Sequence, residues 1–467
     1  MKIAKLGKML AVCVVLAAAF LVVSASAESK ARIVRLSEVQ GTVRFDRASG
    51  DGFDKAFINL PVIEGSRLKT AKDGRAEVEF EDGSALRLAP DSEVDFTRLA
   101  LGDNGQKLST VQLVSGTVYA DLHPKNAYGK VKTGDQFQLN FARESVSVPE
   151  AAHFRVELDG ASKATLAVFK GRLRATSPSG QFDVAEKHSA SIDFANNDLA
   201  NADRANDDPA KPAKKDTFVI ARNYEADPSD AWDRQQTDYH DRYASVGGSA
   251  SLSSPYAYGM SDLNYYGSFM MLPGYGNVWQ PYFLGANWSP FQDGGWAFYP
   301  GAGYMWVSGY PWGWMPYNYG NWAFAPGFGW VWQPGYWNAW NGIPQVVNPP
   351  VSTKVPTAPA SGHQTVMVGL GLTANPATGA PRRLTINPGS AGFGVPRGSV
   401  RHLDRLAKTM TQTSRPVVVA TVRPVPATAP ATSFGTSPTS PLTGRTSTGT
   451  ASTASPHRST APPPRPH

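Results

Sequence analysis

Apolar and polar residues alternate through the first third of the chain. From Arg32 to about Phe194, strand-sized apolar runs are separated by Gly, Asp and Pro, which predicts a mainly β fold. In "RAEVEFEDGSALRLAP", Ala76, Val78 and Phe80 fall on one side of a strand and Glu77 and Glu79 on the other. Asp82-Gly83 supplies a hairpin turn, after which Leu86 and Leu88 return on the buried side. Glu81 and Asp82 read as solvated turn charges. A phrase also recurs: "VQGTVRF" at Val39, "VSGTVYA" at Val114 and "FKGRLRA" at Phe169, each with a glycine where the chain enters a strand. Its unequal spacing excludes a solenoid period.

The pattern then changes. Residues 196–216 are a polar linker, without the spaced carboxylates, central Gly and closing Glu of a calcium loop. Residues 217–255 read as a helical joint, in which Asp227 or Ser229 caps a short helix and Trp232 and Tyr239 lie seven apart on one face. In residues 256–345, "WAFYPGAGYMWVSGY" from Trp296 and "WAFAPGFGWVWQPGY" from Trp322 match at an offset of 26 residues. Each predicts two short strands around a Pro-Gly turn, giving a Trp-rich β-hairpin repeat domain. Eleven of the 12 tryptophans lie between Trp279 and Trp340, and Asp293 is the only charge from Leu263 to Thr353. Burying one indole removes about 200 Å² from water, at most on the order of 5 kcal/mol, so these rings can replace an aliphatic core. Residues 346–467, rich in Pro, Thr, Ser and Ala, read as a disordered basic tail in which "VRHLDRLAKTM" forms at most one brief basic turn of helix.

Lys2, Lys5 and Lys8, the apolar run Met9–Val23 and Ala25-Ser26-Ala27 follow the order of a signal peptide, 1–27, cut after Ala27. The expected location is periplasmic or secreted. The single cysteine, Cys13, lies in this leader, so neither disulfides nor thiol chemistry act in the mature chain. Of the net charge of +7, the leader lysines hold +3 and Val351–His467 holds +11, which leaves −7 for Glu28–Pro350. An acidic body with a basic tail is not a nucleic-acid-binding distribution, and membrane contact is at most peripheral, through the tail.

His123, His153, His188 and His240 are scattered, with no second ligand at metal spacing, and there is no G-x-S-x-G elbow. "GLGLTA" at Gly369 fits a dinucleotide turn, but Pro376 and Pro381 forbid the helix that must follow. No catalytic residue, metal or cofactor is expected, and the chain reads as non-enzymatic. Its expected ligand surface is aromatic: Trp312, Trp314, Tyr317 and Tyr319 for stacking on sugar rings, with Asn318 and Asn321 for hydroxyls. The partner is then a cell-envelope polysaccharide or an envelope protein.

Two stretches resemble known domains. "GSRLKTAKDGRAEVEFEDGSALRLAPDSEVDF" is similar to the central segment of FecR domains, with Gly65, Leu68, Thr70, Gly83, Ser84, Leu86, Leu88, Pro90 and Ser92 at the matching positions. The resemblance, extended by "VQLVSGTVYADL" and "ATLAVFKGRLRA", implies an extracytoplasmic FecR-like all-β domain over 31–195, without catalytic machinery. "YGMSDLNYYGSF", "YGNVWQP", "WSPFQDGGW" and "YPWGWMPYNYG" resemble a Trp/Gly/Tyr-rich domain of uncharacterised function that follows FecR domains in secreted bacterial proteins. Members of that group often carry His where Asn318 stands. FecR proteins include transmembrane signalling regulators of sigma factors. The roughly eight residues before the apolar run are too few to grip a sigma factor, so an envelope binding or scaffolding role is the stronger expectation.

Overall fold

The computed structural model describes residues 32–123, 135–148, 150–160, 162–177, 180–194, 217–244, 258–337, 343–369, 383–413 and 415–420. These belong to the first of two units, Met1–Ala427; the second, Thr428–His467, lies outside the described residues, as do the leader and the polar linker.

A 17-stranded hydrogen-bonded sheet folds into two layers that share one long strand, β9 (Lys107–Leu122). One layer runs β3 (Asp54–Lys55), β2 (Val43–Asp46), β5 (Arg67–Thr70), β8 (Glu93–Leu101), the first half of β9, β10 (Gln136–Phe141), β11 (Glu144–Ser147), β14 (Arg172–Ser177), β15 (Gly180–Ala185). The other runs β4 (Pro61–Val62), β1 (Val34–Gln40), β6 (Arg75–Glu79), β7 (Ala85–Leu88), the second half of β9, β12 (Ala152–Asp159), β13 (Lys163–Lys170), β16 (Ser189–Asp193), β17 (Thr217–Ala221). Val78, Leu86, Val118 and Val156 of one layer join Phe45, Leu68, Phe96 and Val111 of the other in the core.

The recurring glycine phrase marks the crossings between layers. Gly41 joins β1 to β2, Gly116 divides β9, and Gly171 joins β13 to β14. Their φ angles are 61°, 81° and 82°. A Cβ would stand 2.1 Å from the Asp73 carbonyl oxygen, 2.4 Å from that of Asp91 and 2.3 Å from that of Ala151, respectively. Left-handed backbone and a carbonyl in the side-chain position together leave room only for glycine. Gly116→Ala is expected to cost on the order of 3 kcal/mol, read from urea unfolding of the full chain.

The β6–β7 hairpin forms in the expected register, with Val78 opposite Leu86 and Ala76 opposite Leu88. Its acidic side does not face water. Glu77, Glu79 and Glu81 are all buried, the first two under α1 (Asp230–Tyr243), α2 (Met260–Tyr266) and Arg397; Glu81 is bonded to Arg32. The solvated reading of Glu81 fails because Arg32 grips both its oxygens at 2.9 and 2.7 Å. The joint itself opens with a strand, β17, and its helix buries Trp232 and Tyr239 together.

Three hairpins follow: β18 (Gly267–Leu272) with β19 (Gly276–Pro281), β20 (Gly294–Tyr299) with β21 (Gly303–Ser308), and β22 (Tyr319–Ala325) with β23 (Gly329–Trp337). All three turn on Pro-Gly-x-Gly. Both glycines are left-handed in each turn, and Tyr275, Ala302 and Phe328 donate back to the residue before the proline. This is a type II turn closed by a left-handed residue. The sequence offset is preserved in space: Trp296 lies opposite Trp306, and Trp322 opposite Trp332. The first hairpin, with Phe269 opposite Trp279, is a third copy of the device that sequence reading missed.

The rings form the core. Trp279, Trp288, Trp296, Trp306, Trp312, Trp314, Trp322, Trp330 and Trp332 are all buried in one cluster. That cluster also takes Ile386, Val395, Val400, Leu403 and Met410, so ordered structure runs past the expected boundary at residue 346. β24 (Gln345–Val347) pairs with β22, β25 (Val366–Val368) with β20, and β26 (Arg383–Ile386) with β27 (Val417–Ala420); α4 spans Leu403–Thr413. Aliphatic side chains from this segment pack into the aromatic core. Residues 421–467 of the expected tail lie outside the described residues.

Candidate functional site

The four rings expected to stack on a ligand are inside the molecule. None of Trp312, Trp314, Tyr317 and Tyr319 exceeds 3% exposure, and Asn318 is buried with them. The short helix α3 (Trp314–Asn318) turns them inward. Trp312 stacks on Tyr310 at 4.9 Å, and its indole N–H donates to the Ala391 carbonyl at 2.6 Å. Tyr317 donates to the Pro290 carbonyl, the Tyr258 and Tyr319 hydroxyls lie 3.0 Å apart, and the Asn318 amide donates to the Trp314 carbonyl at 2.8 Å. Proline and glycine in the connection were expected to leave rings uncovered. The segment around Ala391, distant in sequence, covers them instead.

Asn321 alone of the six stays partly exposed, and it belongs to a different surface. The sheet β18-β19-β23-β22-β24 turns its tryptophans to one side, so the residues between them lie on the other. Val278, Ala323, Ala325 and Val331 lie there in a small apolar cluster with Leu272. Amides stand above it. Asn321 Nδ2 donates to Gln333 Oε1 at 2.7 Å, and Gln333 Nε2 donates to the Tyr275 carbonyl at 3.0 Å. Gln280 Nε2 donates to the carbonyls of Phe328 and Trp330 at 2.9 and 3.0 Å. Tyr275 reaches across β23 to donate its hydroxyl to the Phe324 carbonyl at 3.3 Å. Met271 of β18, Phe328 of the β22–β23 turn and Tyr336 of β23 are exposed, at 76%, 55% and 87%. The alternation of each strand about its tryptophan was the signal that would have found Gln280 and Gln333.

The strongest electrostatics lie elsewhere, between the sandwich and its covering helices. Arg87 contacts Glu77 at 2.8 Å, Asp233 at 2.7 Å and Asp121 at 3.7 Å. Arg397 contacts Glu77 at 2.6 Å, Asp262 at 3.1 Å and Glu38 at 3.7 Å, while Arg35 contacts Glu79 at 2.6 Å and also Asp262. Three imidazoles complete the cluster: His240 on Glu77 at 3.0 Å, His153 on Asp233 at 2.7 Å and His123 on Asp121 at 3.0 Å. Burial pushes the Glu77 carboxyl up, but His240, Arg397 and Arg87 outweigh it and hold the group well below the usual carboxylate range. For Asp262 burial is likewise outweighed, by Arg397 and Arg35. For Glu38 burial prevails over Arg397, and its carboxyl is raised.

These groups are packed against one another. Among the described residues, no three or more His, Cys, Asp and Glu are placed to hold a metal ion. The cluster is a clamp between elements. The amide face is partly exposed.

Residues 66–174 match the family model described as FecR protein, and residues 260–359 match that of a family of unknown function, DUF6600. The two domains therefore stand in the expected order. No curated protein matches the chain. Among solved structures, two crystal structures of a protein assigned as an anti-sigma factor from Parabacteroides distasonis ATCC 8503 are similar at 14% identity and a TM-score of 0.23. The similarity covers 28% of this chain and 55% and 56% of those chains, about half their length.

Proposed function

We propose that this chain, a FecR domain joined to a DUF6600 domain, is a non-enzymatic extracytoplasmic binding or scaffolding protein of the bacterial cell envelope. Its ligand class is neutral envelope polysaccharide. The observation that carries this reading is the uncharged sheet face of Asn321, Gln333, Gln280 and Tyr275, together with the exposed ring of Tyr336 on β23 of the same sheet. Amides exchange hydrogen bonds with hydroxyls, a ring face stacks on a sugar, and the absence of charge suits a neutral polymer. The buried aromatic core behind the sheet keeps the face rigid, which lowers the entropy lost on binding. The leader charges, apolar run and small residues of 1–27 support export, and the consumption of buried ionisable groups in mutual pairs supports a role without catalysis.

The test is binding of the mature protein to a glycan array and to isolated sacculi. Tyr336→Ala is expected to weaken binding by roughly 1–3 kcal/mol, by analogy with base–aromatic stacking. Its melting temperature should not change, because the ring is solvent-exposed. Binding should also survive added salt, since attraction through the basic tail would be screened. Capture that ignores Tyr336, Asn321 and Gln333, or vanishes in salt, would move the site to the tail.

The FecR domain favours a second reading, a regulator signalling across the inner membrane. No helix among the described residues is long and apolar enough to cross a membrane. Absence of glycan binding, together with a sigma-factor regulon that shifts when the gene is deleted, would select that reading.

A further inference from the structure

We propose that the outer face of the FecR domain carries a separate ligand site, a groove that binds linear polysaccharides bearing carboxylates. Five residues cross that face in register: Arg98 of β8, Thr110 of β9, Gln138 of β10, Ser147 of β11 and Arg174 of β14. Their chain neighbours Leu99, Val111, Leu139, Val146 and Leu173 are buried, the last four in the sandwich core, so strand alternation places the five on the opposite side. All five line one cavity of about 340 Å³.

The groove has a neutral floor and a cation at each end. Thr110, Gln138 and Ser147 supply hydroxyls and an amide. Gln138 Nε2 donates to Asn140 Oδ1 at 2.8 Å, which leaves its carbonyl oxygen to accept from a ligand. The Ser147 hydroxyl donates to the Arg174 carbonyl at 3.5 Å, a long bond that a ligand hydroxyl can replace. Arg98 is exposed and has no ion-pair partner among the described residues. Arg174 uses Nε on Asp183 at 3.1 Å, with side chains 54% and 40% exposed. Such a surface pair is weak, and the terminal nitrogens of the guanidinium remain for a ligand. Asp135 is the one acid among the lining residues, and its Oδ1 accepts from the Lys107 backbone N–H at 2.7 Å.

That arrangement selects the ligand. A guanidinium pairs with a carboxylate through two parallel hydrogen bonds. The backbones of β8 and β14 stand four strand spacings apart, roughly 19 Å, so both carboxylates must sit on one extended chain. Between them the chain must offer hydroxyls to the floor. A polysaccharide containing uronic acids does both. A nucleic acid carries a phosphate on every nucleotide and calls for more cations than two. Peptides recognised as added strands bind at sheet edges, and this is a sheet face. The groove does not rest on the uncharged amide face, which takes neutral polymers.

Calorimetric titration of the full chain with oligogalacturonates of increasing length tests the site. Affinity is expected to rise once an oligomer reaches both guanidiniums, and to fall with added salt. Arg98→Gln and Arg174→Gln should each weaken the long oligomers about tenfold, the scale of one hydrogen bond to a charged group. Together they should weaken binding about a hundredfold, because the two positions are too far apart to couple. Melting temperatures should hold, since both side chains are exposed. Arg405→Gln removes the same charge from an exposed position on α4 and should leave binding unchanged. Equal binding by the double variant would assign the attraction to other cations of the chain. Equal binding of neutral cello-oligosaccharides would remove the role of charge, and equal binding of oligoglutamate would make the ligand an acidic peptide. Each of these results, or no binding of any oligogalacturonate, would overturn the proposal.

Discussion

Trp322→Ala is expected to lower the stability of the unit by about 3–5 kcal/mol, the range for removing a large aromatic from a core. Trp322 is fully buried, with Trp288 at 5.7 Å, Tyr317 at 5.7 Å and Trp312 at 5.9 Å. The surroundings relax only partly into the void that such a change leaves. The Trp322 indole N–H has no hydrogen-bond partner among the described residues, so Trp322→Phe forfeits ring volume alone and should cost clearly less. Urea unfolding followed by tryptophan fluorescence measures both. Wild-type stability in the alanine variant would show that the rings are not the core. Trp296→Ala, at the corresponding place in the neighbouring hairpin, should behave similarly.

Arg397→Ala is expected to cost a comparable 3–5 kcal/mol, although the residue lies in a segment whose composition reads as tail. Its side chain is buried and serves Glu77, Asp262 and Glu38 together, with its guanidinium 5.0 Å from the Tyr239 ring centroid. Removing it strands buried carboxylates without their counter-charge. Exposed Arg401, four residues on, is the control, and Arg401→Ala should stay within about 0.5 kcal/mol. The same cluster sets an acid limit. Glu77 and Asp262 have depressed folded-state values, so their contribution is present above the ordinary carboxylate range near 4. It is lost as pH falls through those lower values. A thermal-melt series from pH 7 to pH 2 should show that loss in the wild type and less of it in Arg397→Ala.

Of the expected ligand site, only Asn321 lies on an accessible face. The argument from Gly and Pro density treated the crowded connection as too irregular to be covered. It could not include a covering segment that begins some seventy residues later, where Ala391 accepts from Trp312. Gln280 and Gln333 went unmarked because the aromatic residues beside them dominated the text, although strand alternation placed them opposite those rings.

The sequence by itself determined what depends on neighbours along the chain. Alternation gave the strands, the recurring glycines gave the layer crossings, and Pro-Gly turns flanked by tryptophans gave hairpins with an aromatic core. Each of these is set by local backbone geometry and side-chain period. Only the tertiary structure decided which polar faces are covered. A glutamate on the outer side of a strand has the same pattern whether water or a helix lies above it. Glu77 meets Arg397 across 320 residues of sequence. The fate of that face depends on contacts between distant segments, whose pairing no local period encodes.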